Sequence, residues 1–284
     1  MSSVQSVTVK VPTRMSRSLC SGIFDCSRSC QPISATRILS ATEKISRYFR
    51  RLVHVRHMDF QYACWQMLNL IFAPQKVFRN FQYRNRSRRQ WARDDPAFFV
   101  LMGLLVIVSS SIFAWFTSFN VLDTVLFVFW IVVFEFISVA LMAATFMWIL
   151  SNHYLVEKWQ TSSSDILTMH PTADDSSDVE WGYAFDIHLN AFFPIFVIQF
   201  FLLPLRNVLV GFLGLLVGNS FWLLGALYYS YITFLGYSAV PFLRRTTILL
   251  WPMTGSVLLF FLSLAIGWNF TDIIWQFYRF QFHH

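Results

Sequence analysis

Residues 97–119, AFFVLMGLLVIVSSSIFAWFTSF, run for 23 positions without a charged side chain. A helix of roughly 20 apolar residues crosses about 30 Å of hydrocarbon at about 1.5 Å per residue. The run shows none of the period-two alternation of a barrel strand. Lipid leaves no water for an unpaired backbone, so this stretch is a membrane-spanning helix. Four further runs have the same character. Residues 124–150 are interrupted only by Glu135, and residues 187–205 contain Pro194. From Asn207 no charge occurs before Arg244, which is too long for one straight span; its helix is expected to end near Tyr231, with an exit segment after it. Residues 246–271 make the last run. The reading is an all-α fold, a polytopic membrane helical bundle with five transmembrane helices and a cytoplasmic interfacial helical segment.

The composition agrees. Of 284 residues, 56% are apolar and 13% charged, about half the charge of an ordinary soluble domain. Intrinsic disorder over most of the chain, fibrous repeats and a polar solenoid are excluded. Charge is unevenly divided. Residues 1–96 carry 17 of the 22 Lys and Arg against 5 acids, whereas residues 97–284 carry 5 bases and 10 acids. A basic head on an apolar body suits anionic lipid headgroups, an acidic partner or nucleic acid. The arginines before the first span keep that end cytoplasmic by the positive-inside rule, and five spans then place the C-terminus in the lumen. Arg244 and Arg245 fall on the cytoplasmic side, Arg206 and Arg279 on the other.

These boundaries divide the chain into four parts. Residues 1–56 form a basic, variable, flexible head, and 57–96 a cytoplasmic juxtamembrane helical segment. Residues 97–271 are the membrane domain, with a cytoplasmic loop at 151–186, and 272–284 a short lumenal tail. The start lacks the apolar region of a secretory signal, so the first span directs its own insertion; a transit peptide is the lesser reading. Cys20, Cys26, Cys30 and Cys64 form no CxxC pair and imply a reduced compartment without a dedicated metal site. Within 59–83, Phe60, Cys64, Met67, Leu68 and Ile71 recur at helical spacing, and Pro74 starts a second helix whose Val77, Phe78 and Phe81 share a face. The segment is read as lying in the cytoplasmic interface, with Lys76, Arg79 and Arg84 toward headgroups. The alternative is that these faces pack on the bundle or on each other.

Few residues suggest chemistry. Glu135 lies near mid-depth, where a lone carboxylate costs several kcal/mol and must find a partner or a proton. A structural hydrogen bond is favoured over a transport path, which usually brings more intramembrane polar groups or paired broken helices. Gly211, Gly214, Gly218 and Gly225 lie along one face of the fourth span and suit close packing. Asp178, Glu180, Asp186 and His188 could gather a divalent ion, but interface anchoring by Trp181 and Tyr183 is the simpler account. Arg84, Arg86, Arg88, Arg89 and Arg93, with Trp91, Asp94 and Asp95, are the candidate contacts for lipid or a partner. Asp94 and Asp95 before Pro96 also suit a helix start. The arginines, interleaved with Tyr83 and Trp91, could bind RNA, but no RRM, KH or zinc-knuckle signature accompanies them. No metalloprotease, serine-hydrolase or phosphate-loop motif is found, so neither enzyme nor cofactor is implied.

Three segments carry a resemblance. MDFQYACWQMLNLIFAPQKVFRNFQYRNRSRRQWARDDPAF at 58–98 resembles the juxtamembrane signature of the uncoordinated-fifty family of Golgi membrane proteins. DVEWGYAFDIHLNAFFP at 178–194 and YITFLGYSAVPFL at 231–243, followed by SLAIGWNF, are similar to its later signatures. The positions include Trp65, Pro74, Trp91, Ala92, Arg93, Asp94, Asp95 and Pro96. Further along they include Glu180, Trp181, Gly182, Tyr183, Asp186, His188, Asn190, Gly236, Tyr237 and Pro241. The resemblance covers about residues 57–284. It implies a multi-span protein of the early secretory pathway and Golgi that helps deliver multi-subunit receptors to the cell surface. It also implies a link to guanine-nucleotide exchange factors for Arf GTPases, and an RNA-binding relative at the inner nuclear membrane. It transfers no catalytic residue. Residues 1–56 and the loop 160–177 depart from the family pattern.

Overall fold

The structure is a computed structural model that describes residues 58–88, 91–93, 95–156, 178–205 and 211–282, with backbone alone at 84–88 and 199–205. The expected head at 1–56 and most of the loop 151–186 lie outside the described residues. Among the described residues eight helices follow in chain order. Two short ones, α1 (Phe60–Phe72) and α2 (Pro74–Arg88), precede the spans. Then come α3 (Ala97–Phe116), α4 (Val121–Leu155), α5 (Trp181–Leu205) and α6 (Phe212–Ser238). A 3₁₀ turn, Thr246–Leu250, leads into α7 (Trp251–Ile266), and α8 (Phe270–Phe282) closes the chain. Five of the helices are long and apolar enough to cross a membrane. Among the described residues no sheet forms, and the one β contact is an isolated bridge between Val156 and Leu243.

The five crossings leave two ends to the bundle. The proximal end gathers α1, α2, the start of α3, the end of α4, the start of α5 and the end of α6. The distal end holds the α3–α4 turn, the start of α6 and α8. Twenty residues give α3 a length of about 30 Å, a near match to the hydrocarbon. Its start is fixed by Asp95, whose Oδ1 accepts from the Ala97 N–H at 3.1 Å. Helix α4, at 35 residues, is longer than one crossing needs. It includes π-helical stretches at Ile131–Ser138 and Ser151–Leu155. The first carries Glu135 and seats Phe136 in the core, stacked on Phe99 at 5.4 Å.

Three boundaries differ from expectation, each for a packing reason. Helix α5 begins at Trp181, six residues before the apolar run, because Asn152 of α4 clamps the chain just ahead of it. The Asn152 amide both donates to and accepts from the Val179 backbone, at 3.2 and 2.8 Å. It then continues through the buried Pro194 without a break. Helix α6 does not stop near Tyr231 but runs to Ser238, since Ile232, Thr233, Gly236 and Tyr237 are all buried. The expected lumenal tail is instead the helix α8. Gly267, at φ +81, ends α7, and Asn269 Oδ1 accepts the Thr271 N–H at 3.1 Å to start the next helix.

Close packing centres on α5 and α6. A Cβ on Gly225 would sit 3.4 Å from Ile195, and one on Gly218 would sit 3.3 Å from the Thr271 hydroxyl. Gly214 is buried in the same helix. Gly211 plays a different part: at φ +70 it precedes α6, with nothing within 4 Å of its missing Cβ. The tightest approach is at Gly236, where a Cβ would meet Ile187 Cγ1 at 2.9 Å. Ile187 is itself 1% exposed and cannot swing away. Gly236→Ala should therefore destabilise the protein by about 1–3 kcal/mol, the usual cost of overpacking. Gly255→Ala, with nothing within 4 Å, should leave it unchanged. Thermal unfolding in detergent, followed by fluorescence-detected size exclusion, compares the two; equal midpoints would count against this packing.

Candidate functional site

Helices α1 and α2 do not drape loosely over the bundle; polar bonds pin them to it. Asp59 caps α1, its Oδ1 accepting the Tyr62 N–H at 3.0 Å, and its own N–H donates to Asp95 Oδ2 at 2.9 Å. One face of α1 is formed by Ala63, Gln66, Met67 and Leu70, all buried. The Gln66 Nε2 donates to Asn190 Oδ1 of α5 at 2.6 Å, with both side chains fully buried. At the end of α1 the Tyr228 hydroxyl of α6 donates to the Leu70 and Ile71 carbonyls at 2.8 and 2.9 Å. These carbonyls belong to the last turn, whose acceptors have no partner within the helix. In α2, Val77, Phe78 and Phe81 enter the core rather than lipid. The Gln82 amide reaches the Ala239 carbonyl at 3.1 Å.

The link from α2 to α3 is held by acids of the next polar segment. The Ala92 N–H donates to Glu180 Oε2 at 3.1 Å, and the Arg93 N–H to Asp186 Oδ2 at 2.8 Å. Hydrogen bonds to a charged acceptor are worth about 1.5–3 kcal/mol, more than neutral ones. The Arg93 guanidinium is buried over the rings of Phe81 and Phe98, at 4.7 and 5.2 Å from their centroids. Trp91 packs against Tyr183 at 5.6 Å. Gly182 leaves room for this strand of backbone, since a Cβ there would come 3.0 Å from Ala92 Cβ.

Several sequence candidates thus meet in one place. Trp91, Arg93, Asp95, Glu180, Gly182, Tyr183, Asp186, His188 and Asn190 all lie at the proximal end. Their roles differ from those expected in one respect. Tyr183 is no interface anchor: it is 1% exposed and donates its hydroxyl to the Gly236 carbonyl at 2.7 Å. Trp181 remains at the surface, with its Nε1 on the Thr145 hydroxyl at 3.1 Å. His188 shares a hydrogen bond with the Tyr229 hydroxyl at 2.9 Å. The four groups weighed for a divalent ion do not assemble one; no such cluster is present among the described residues. The side chains of Arg84, Arg86 and Arg88, and all of Arg89 and Asp94, lie outside the described residues. What the structure does give is the outward face of α1, where Trp65, Leu68, Ile71 and Phe72 are exposed. The reading in which these faces pack on the bundle holds for the buried side of the segment. Its inner face packs on the bundle, and its outer face has the apolar character suited to a membrane interface.

Sequence reasoning missed Gln66, Tyr228, Asn152 and Asn219. Gln66 left a trace, a polar residue on the face shared by Ala63, Met67 and Leu70. Asn219 was hidden in an otherwise apolar run. Its buried amide donates to Ser263 Oγ and the Trp268 carbonyl, at 2.9 and 2.7 Å, and accepts the Phe270 N–H at 3.2 Å.

Farther along α4, Glu135 has a partner from the distal helix α8. The Tyr278 hydroxyl donates to its Oε1. Burial first, and then this hydrogen bond, hold the Tyr278 phenol above its ordinary range, so it serves as a neutral donor. Phe113, Phe127 and Trp275 pack around the pair.

With this arrangement in view, comparison with known proteins is informative. The model of the UNC-50 family matches residues 48–279, beginning somewhat earlier than the quoted signatures. The chain belongs to the UNC-50 family. It is 46% identical over 246 residues to the protein unc-50 homolog of Homo sapiens, covering 85% of this chain and 90% of the relative. It is also 42% identical over 245 residues to protein unc-50 of Caenorhabditis elegans, covering 85% and 76%. The Danio rerio homolog is 46% identical over 246 residues, covering 84% and 90%. No solved structure matches the chain.

The Glu135–Tyr278 pair generates a direct prediction. Glu135→Gln keeps an acceptor for the phenol and should retain near-normal abundance. Glu135→Leu leaves a buried hydroxyl without a partner, a loss of about 1–3 kcal/mol, and should lower abundance. Tyr278→Phe in the Leu background should restore part of it. Steady-state levels in cells measure all three, and no rescue in the double variant would remove the pair as a stabilising contact.

Proposed function

We propose that this protein works in Golgi membrane traffic as a fixed docking platform. Its juxtamembrane helices hold an exchange factor for Arf GTPases at the membrane and so support delivery of multi-subunit receptors to the cell surface. Membership in the UNC-50 family supports the Golgi setting and the general trafficking role, and the five spans support a multi-pass membrane location. No metalloprotease, serine-hydrolase or phosphate-loop motif occurs in its sequence.

The observation that carries the platform reading is the rigid seating of α1 and the 91–95 link. Gln66 is tied to Asn190, the Ala92 and Arg93 amides to Glu180 and Asp186, and the α1 terminus to Tyr228. A segment that merely tethered the chain to lipid would not require four such bonds to two separate helices or their approaches. Held this way, the exposed Trp65, Leu68 and Phe72 and the arginine run of α2 keep a constant register relative to the membrane. The proximal end is taken as cytoplasmic. Lys76, Arg79, the arginines of α2, Arg244 and Arg245 gather there, whereas Arg279 lies at the distal end. Anionic headgroups and the partner would share this basic surface, each base adding up to about 1 kcal/mol of attraction to the membrane.

Replacing Arg84, Arg86, Arg88 and Arg89 together with Gln removes four positive charges without adding bulk. Span insertion should be unchanged, because α3 carries its own apolar length. Association with the exchange factor, measured by quantitative co-isolation in detergent, should fall several-fold, with a parallel loss of receptor delivery. Unchanged association in a correctly oriented variant would remove the platform from this segment, as would a loss of crosslinked RNA with normal traffic.

A further inference from the structure

The last helix presents three kinds of surface at once. At about 100° per residue, Thr271, Ile274, Trp275, Tyr278 and Phe282 of α8 fall in one sector. Asp272, Gln276 and Arg279 fall in a second, and Ile273, Phe277 and Phe280 in a third. The first sector faces the protein. The Thr271 hydroxyl accepts from Trp222 Nε1 of α6 at 3.2 Å, and Trp275 lies 4.8 Å from Phe113 of α3. Tyr278 reaches Glu135, and Phe282 lies 5.3 Å from Phe127 of α4. The third sector touches little: Ile273 is 48% exposed, Phe277 56% and Phe280 88%.

A tail surrounded by water would not keep two large phenylalanines this exposed, beside a flank bearing all its charge. The depth of the helix supplies a reason. Phe113, on which Trp275 rests, is three residues from the end of α3, about 4.5 Å along the axis. Since α3 is about as long as the hydrocarbon is thick, α8 lies near the boundary between headgroups and acyl chains. That is the level at which amphipathic helices lie in the membrane plane, with one side sunk about 5–10 Å.

We propose that α8 is a membrane-embedded interfacial helix of the distal leaflet. It is clamped to the bundle through Trp275 and Tyr278, and Ile273, Phe277 and Phe280 are inserted among lipid acyl chains. Asp272, Gln276 and Arg279 face the headgroups and water. This role of α8 is independent of the function proposed for the proximal end. The same geometry ties up Asn269, whose side chain donates to Asp272 and accepts the Thr271 N–H.

The test uses the full-length chain with its four cysteines changed to serine, reconstituted in phosphatidylcholine vesicles. Nitroxide labels are placed singly through Ile273→Cys, Phe277→Cys and Phe280→Cys, and through Asp272→Cys, Gln276→Cys and Arg279→Cys. All but Asp272, which is half-buried, are exposed, so a label there displaces no core. Collisions with oxygen should exceed those with a water-soluble nickel chelate several-fold at 273, 277 and 280. The ratio should reverse at 276 and 279. High nickel accessibility at all positions would make α8 a soluble tail and overturn the proposal. Low accessibility to both reagents at 277 and 280, with dipolar broadening between labels, would show a second copy there and overturn it equally.

Discussion

Two acidic side chains of the segment that begins α5 accept the backbone amides of Ala92 and Arg93, and the proximal end is organised around that contact. The constraint is general. Near and within a membrane, each backbone or side-chain donor that leaves water must find a partner in the protein. The stretch between α2 and α3 has no helix to satisfy it, so Glu180 and Asp186 do so instead. Once that link is fixed, Arg93 is placed over Phe81 and Phe98 and Trp91 against Tyr183. Helices α1 and α2 then have only one place to lie.

The same demand recurs through the molecule. Gln66 and Asn190 answer one another in the core, Tyr228 completes the end of α1, and Asn219 knits α6 to the turn between α7 and α8. Small residues do the complementary work. Gly236 and Gly225 let α6 approach α5, and Gly182 admits the backbone at Ala92. In lipid, where apolar surface gains little by leaving one apolar neighbour for another, close packing and satisfied polar groups hold helices together.

Some of this was legible in the sequence. The five spans could be read because length and hydrophobicity alone determine them. Pro74 marked the start of α2, and Asp95 the start of α3. The helix ends were harder to read. Helix α5 starts early because Asn152 clamps Val179, and α6 ends late because Ile187 packs at Gly236; both are contacts between residues distant in sequence. The helix at 270–282 looked like a tail because Asp272, Gln276 and Arg279 break its hydrophobicity at intervals. Only its packing on Phe113 and Phe127 shows that these polar residues occupy one flank. The candidate site was partly visible. Trp91, Arg93, Asp95, Glu180, Asp186 and Asn190 were singled out as a signature, but nothing in their spacing showed that they touch. Glu135 was marked by its depth, whereas its partner lies 143 positions away.

The central claim is that the juxtamembrane segment is locked to the bundle rather than floating on the membrane. Hydrogen exchange of the full-length protein in detergent, read on peptides covering 60–72 and 89–97, measures that lock directly. In the wild type, the Ala92 and Arg93 amides should exchange slowly despite lying outside any helix. Changing Glu180 and Asp186 together to Ala should accelerate them about tenfold or more, as expected for losing bonds worth about 1.5–3 kcal/mol. Protection across 60–72 should weaken with them. Fast exchange in the wild type, or unchanged protection in the double variant, would contradict the account.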